Sequence, residues 1–162
     1  MTYQCSHCGQ THDDLPDLVF DLPEPIRELT SEERLNRAWI SADRCVLDDE
    51  HFFIRGVIKI PIQDQEGYFG FGVWVSQSEV HFMHYQDHPD EDDYGPFFGW
   101  LANDIAYFEE ETLLLKTQAH FRTGGLRPYI ELEQTDHPLA VMQREGIVLE
   151  KAWEIVHQAL DK

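Results

Sequence analysis

The sequence predicts an α+β protein: an antiparallel sheet of about five strands packed with helices, with an N-terminal zinc-knuckle-like segment. Three observations carry this. Apolar residues alternate with a period of two through the middle of the chain. They change to helical spacing at the C-terminal end, where Leu149, Ala152, Trp153, Val156 and Leu160 fall on one helix face. The chain also starts with Cys5-Ser6-His7-Cys8-Gly9, two thiols on a tight turn followed by a residue that tolerates positive φ.

The elements follow in order within one domain, 1–162. Residues 1–12 form the cysteine knuckle, and 13–29, with Pro16, Pro23 and Pro25, form an irregular connector. Thr30-Ser31-Glu32-Glu33 reads as a helix start, a hydroxyl cap followed by acids suited to the positive end of the dipole, and this short helix ends near Arg37 or Trp39. The sheet with a helical insertion spans 52–134. Its first strand places Phe52, Ile54, Ile58, Ile60 and Ile62 on one face and Arg55 and Lys59 on the other. Phe69, Phe71, Val73 and Val75 define a second strand, and Val80–Tyr85 a third, joined by short connections that imply an antiparallel meander. Gly95–Tyr107 reads as turn then helix, Thr112–Arg122 as a fourth strand, and Pro128–Glu133 as a fifth, with helices over 137–161.

The charge is lopsided: 31 acidic residues against 12 Lys and Arg, a formal net charge of -19. Such a field repels nucleic-acid phosphates and anionic membranes and speeds encounter with basic proteins. No apolar run approaches the roughly 20 residues of a membrane helix. With three cysteines and no secretory pattern in MTYQCSHCGQ, the expected compartment is the cytoplasm.

Structural zinc is the implied cofactor, with Cys5, Cys8, His12 and Cys45 as a Cys3His set that staples the N-terminus to the turn before the first strand. A redox pair is the alternative for Cys5 and Cys8, but the βαβ setting it usually occupies is absent. A second constellation is the polar side of the sheet, where Arg55, Lys59, Trp74, Lys116, His120 and Arg122 share strand parity. This would give an acidic protein one basic and aromatic ligand or partner face. The acidic loop 87–93 departs from the calcium-loop pattern and reads as solvated surface. Nucleophile-elbow, phosphate-loop and zinc-protease motifs are absent from the sequence.

Several segments resemble one bacterial family: Cys5-Ser6-His7-Cys8-Gly9, Asp43-Arg44-Cys45, His51-Phe52-Phe53-Ile54-Arg55-Gly56, Phe71-Gly72-Val73-Trp74-Val75, Phe98-Gly99-Trp100-Leu101, Arg127-Pro128, and Asp136-His137-Pro138-Leu139-Ala140 followed by Gln143-Arg144-Glu145-Gly146-Ile147. Together they resemble domain of unknown function 2199 over nearly the whole chain. The resemblance implies a single domain that includes the knuckle, with Cys45 and Arg55 in the shared pattern, and it assigns no catalytic residues.

The function expected from these readings is a non-catalytic acidic binding protein, an immunity-type inhibitor of a basic protein partner, with Trp74, Tyr94 and Trp100 as candidate anchors. The rival expectations are a small-molecule-binding domain or enzyme on the Arg55/Trp74/His120/Arg122 face, and a zinc-dependent regulator.

Overall fold

The computed structural model describes residues 15–160 and, before them, the backbone of two short strands, β1 (Tyr3–Gln4) and β2 (Thr11–His12), which pair antiparallel. The main body begins with β3 (Leu18–Val19) and α1 (Glu24–Arg27), both within the stretch expected as irregular connector. α2 (Ser31–Arg37) starts at a complete capping box: Thr30 Oγ1 accepts from the Glu33 amide, and Glu33 accepts from the Thr30 amide. It runs into β4 (Ala38–Ile40), which forms a hairpin with β5 (Arg44–Leu47).

Two long strands, β6 (His51–Pro61) and β7 (Tyr68–Gln77), pair antiparallel along their whole length. One edge of β6 is taken entirely by β7. The other edge is shared, with β5 antiparallel to its first half and β10 (Tyr129–Leu132) parallel to it at Val57. Beyond β10 lie β9 (Lys116–His120) and β8 (Phe97–Trp100), both antiparallel, while β3 adds to the far edge of β7 in parallel.

The sheet therefore has eight strands and is mixed. This corrects the antiparallel sheet of about five strands expected from the sequence. The parallel contacts join segments far apart in the chain, Leu18 to Phe71 and Tyr129 to Val57, which short connections cannot reveal.

The sheet also curls back on itself. Just past β8, Leu101 makes an antiparallel bridge to Val75 of β7, and the Ala102 amide donates to the Trp74 carbonyl at 2.8 Å. Gly99 is required here, because a Cβ would run into the Ser76 carbonyl oxygen. The inner face of the curl is the main core: Ile54, Ile58, Ile60, Phe69, Phe71, Val73 and Val75, closed by Leu139 of α4 (Pro138–Glu145) and Trp153 and Val156 of α5 (Leu149–Leu160). Each such side chain removed from water contributes about 1.5–3 kcal/mol.

Two further segments differ from expectation. Val80–Tyr85 is not a strand but part of α3 (Glu79–Asp87), whose Ser78 cap accepts from the His81 amide at 3.2 Å. Its buried side chains are Phe82 and Tyr85, three apart, while Val80 is 75% exposed. Phe97–Trp100, expected to lead into helix, is strand β8.

The zinc-knuckle-like N-terminus is corrected as well. Among the described residues, no group of three or more His, Cys, Asp or Glu is placed to hold a metal ion. Cys5 and Cys8 lie outside the described residues. Cys45 is fully buried in a second core with Leu22, Ile26, Leu47, Phe53 and Trp74. Burial pushes its thiol from 9.0 up to about 11, against the weaker pull of a hydrogen bond from the Ser41 backbone and of the Arg55 charge. In that core the Cys45 side chain packs against apolar neighbours.

Candidate functional site

Strand parity places Arg55, Lys59, Trp74, Lys116 and His120 on the outer face of the sheet, opposite the main core. Arg55 pairs directly with Trp74, Val57 with Tyr129, and Tyr129 with His120. Arg122 lies just past β9 and reaches the same face through Tyr129. Sharing a face does not give these residues one role, because the face is divided.

One half is sealed. Trp74 is 0% exposed beneath the segment 20–29, and its indole Nε1 donates to the Phe20 carbonyl at 3.0 Å. Arg55 donates to the same carbonyl at 2.8 Å and to the Ala42 carbonyl at 3.0 Å, with its guanidinium 5.2 Å from the Trp74 ring centre. Burial, with the like charge of Arg127, lowers the Arg55 pKa. Asn103, also fully buried, accepts from the Trp74 amide at 2.8 Å and donates to the Leu22 carbonyl at 2.9 Å. These side chains tie a covering segment to the sheet through hydrogen bonds to backbone groups, and the Arg55 Nε is buried without a partner. Trp74 is thus no docking anchor.

The other half is open. Lys59 Nζ lies 4.0 Å from the Tyr68 ring centre and 4.6 Å from that of Tyr129, a cation between two aromatic faces. It is also 3.4 Å from the Tyr129 hydroxyl oxygen, to which Arg122 Nη1 donates at 2.8 Å. The hydrogen bond from Lys59 and the charges of Lys59 and Arg122 hold the Tyr129 phenol below its usual pKa. Arg122 Nε is fixed by the Arg127 carbonyl at 2.7 Å, and Arg127 in turn pairs with Asp43 at 2.7 Å. His120 meets Glu131 at 2.9 Å.

Beside this cluster runs an open groove of about 600 Å³, lined by Lys59, His120, Tyr129, Glu131, Gln143 and Arg144 among others. Its floor exists because β10 leaves β6 after a single register pair. The Gln143 side chain fills the gap like a strand, donating to the Ile130 carbonyl and accepting from the Leu132 amide, both at 2.8 Å. Gly146, at φ 79, then lets the chain turn so that the Ile147 amide reaches the Pro61 carbonyl at 2.9 Å. The Gln143–Ile147 motif is therefore structural support for the groove.

Further along the same open half, β8 exposes Phe98 (41%) and Trp100 (42%), with ring centres 5.2 Å apart in an edge-to-face pair. Lys116, Glu131, Glu133 and Gln134 line the depression next to Phe98. Tyr68, Tyr129, Phe98, Glu131 and Arg144 escaped the sequence reading as site residues. For Tyr129 a signal existed, since it shares parity with Glu131 on a strand that alternates with buried Ile130 and Leu132.

Over residues 4–147 the chain matches the family described as an uncharacterized protein conserved in bacteria (DUF2199). The chain belongs to this family. No curated protein and no solved structure matches it. In this member Asp43 and Arg127 pair, Gly56 leaves no room for a Cβ beneath Ile130, and His137 caps α4 through Nδ1, accepting from the Leu139 amide at 3.0 Å. Among the described residues, no helix is long and apolar enough to cross a membrane.

Proposed function

We propose that the protein is a non-catalytic binding protein that docks a basic protein partner on the open half of its outer sheet face. The observation that carries this reading is the exposed Phe98–Trp100 pair on β8, bordered by Glu131 and Glu133, with the Lys116 cation beside it. Aromatic side chains are the usual energetic anchors of an interface, and a rim of acids selects a cationic partner. The net charge of -19 supports the same choice of partner, because it speeds the encounter over longer range. The reading also places the protein in the reducing cytoplasm, where a buried neutral thiol such as Cys45 stays free.

The test uses the immobilised chain and a bacterial lysate. The protein retained should be basic, its association rate should fall steeply as salt rises, and Trp100→Ala should release it. An association rate indifferent to salt, or retention unchanged by Trp100→Ala, would contradict the reading.

A further inference from the structure

Only 12 residues of this chain are Lys or Arg, against 31 acids, so two of them converging on one uncharged atom is conspicuous. Arg27 pairs with Asp21 and Glu24, Arg37 with Asp48 and Glu33, and Arg127 with Asp43. Among the described residues the other Lys and Arg make no such pair; Arg34, Arg55 and Arg144 donate to backbone carbonyls and Arg44 to Gln86, whereas Lys59 and Arg122 share a target. They converge instead on one phenolic oxygen, that of Tyr129, at 3.4 and 2.8 Å. Two like charges brought this close repel by roughly 1 kcal/mol even in water-like surroundings. Aromatic faces and a phenol compensate this arrangement less well than a carboxylate would.

We propose that Lys59, Arg122 and the Tyr129 hydroxyl form a binding site for the oxyanion of a small phosphorylated or carboxylated molecule, whose remainder lies in the adjoining groove. The donor inventory fits. An ammonium carries three N–H donors and a guanidinium five, so each cation keeps donors beyond those aimed at Tyr129. With its oxygen already accepting from both cations, the Tyr129 hydroxyl is left to donate outward. At about 600 Å³ the groove is of the size that holds a small ligand, and Arg144 offers a further guanidinium within it. Its one lining carboxylate, Glu131, is held by His120 at 2.9 Å.

The overall negative charge does not forbid an anion here. Charges farther away than about 8 Å are largely screened at physiological salt, while Lys59 and Arg122 would touch the ligand. The proposal stands apart from the docking of a basic partner at Phe98 and Trp100, and its test involves no partner.

Isotope-labelled protein is titrated with inorganic phosphate and, separately, with succinate, at constant ionic strength, while amide shifts of Lys59, Arg122 and Tyr129 are followed. At least one anion should give saturable shifts at these positions; phosphate alone assigns a phosphoryl ligand and succinate alone a carboxylate one. Lys59→Met and Arg122→Gln should each raise the Kd at least about tenfold, as loss of a charge-assisted hydrogen bond requires, and Tyr129→Phe should raise it several-fold. Tyr129→Phe keeps the ring and the packing, and a dispersed amide spectrum reports that each variant is folded. Arg37→Gln, outside the groove, should leave the Kd unchanged. Shifts that never saturate for either anion, or a Kd that Arg37→Gln weakens as much as Arg122→Gln, would overturn the proposal.

Discussion

Trp74 and Tyr129 project from the same face of one sheet, with β6 between their strands, yet their surroundings are opposite. Around Trp74, side chains donate to carbonyls of the covering chain: Phe20 takes both the indole and Arg55, and Leu22 takes Asn103. Around Tyr129, cations converge on a hydroxyl at the edge of an open groove that no segment of the described residues closes. The strands are the same and the alternation of side chains is the same. What separates the halves is the segment 20–29, which crosses one and stops short of the other. A basic and aromatic composition on one sheet face is thus not a site until it is known what lies over it.

The comparison breaks first at its sealed end. Trp74→Ala opens a large cavity in the second core and should cost about 4 kcal/mol, read as a fall in the urea midpoint. Asn103→Ala leaves the Trp74 amide and the Leu22 carbonyl buried without partners and should cost about 3 kcal/mol by the same measurement. A cost below about 1 kcal/mol for either would mean that the segment 20–29 is only loosely held.

Cys45 sharpens the contrast through pH. Its folded thiol is raised to about 11, above the 9.0 of the unfolded chain. The stability it contributes is therefore fully present below pH 9 and is lost as pH rises towards 11, because the unfolded chain gives up its proton first. The loss should reach on the order of 2 kcal/mol by pH 11, and Cys45→Ala should remove that share of the slope while leaving the part due to the tyrosines, which both proteins carry. An identical slope in both proteins would place the thiol near solvent.

Much of the buried side of the fold was legible in the sequence. Ile54, Ile58 and Ile60 in β6 and Phe69, Phe71 and Val73 in β7 alternate cleanly because one face of each strand is enclosed. The Thr30–Glu33 box marked the start of α2 for a local reason, two reciprocal hydrogen bonds. Val80–Tyr85 misled because six residues with apolar Val80 and Phe82 satisfy a period of two, while the Ser78 cap that makes them helical lies outside that window. Segment β8 misled because an aromatic cluster carries no period of its own.

The parallel pairings of β3 and β10 depend on contacts between distant segments, and no local pattern encodes them. The same reason governs the site. Parity brought Arg55, Trp74, Lys59 and His120 to one face, but the cover over the first two comes from residues 20–29, whose prolines suggested only a wandering connector. The core around Cys45 was equally hidden, because Leu22, Ile26, Phe53 and Trp74 reach it from separate segments of the chain.

The division of the face is tested most directly by urea unfolding of Trp74→Ala and Trp100→Ala side by side. The account predicts a loss of about 4 kcal/mol for the first and less than about 1 kcal/mol for the second, whose indole already faces water. Equal losses would contradict it, since Trp100 would then be part of the packing and the open half would not be free for a partner.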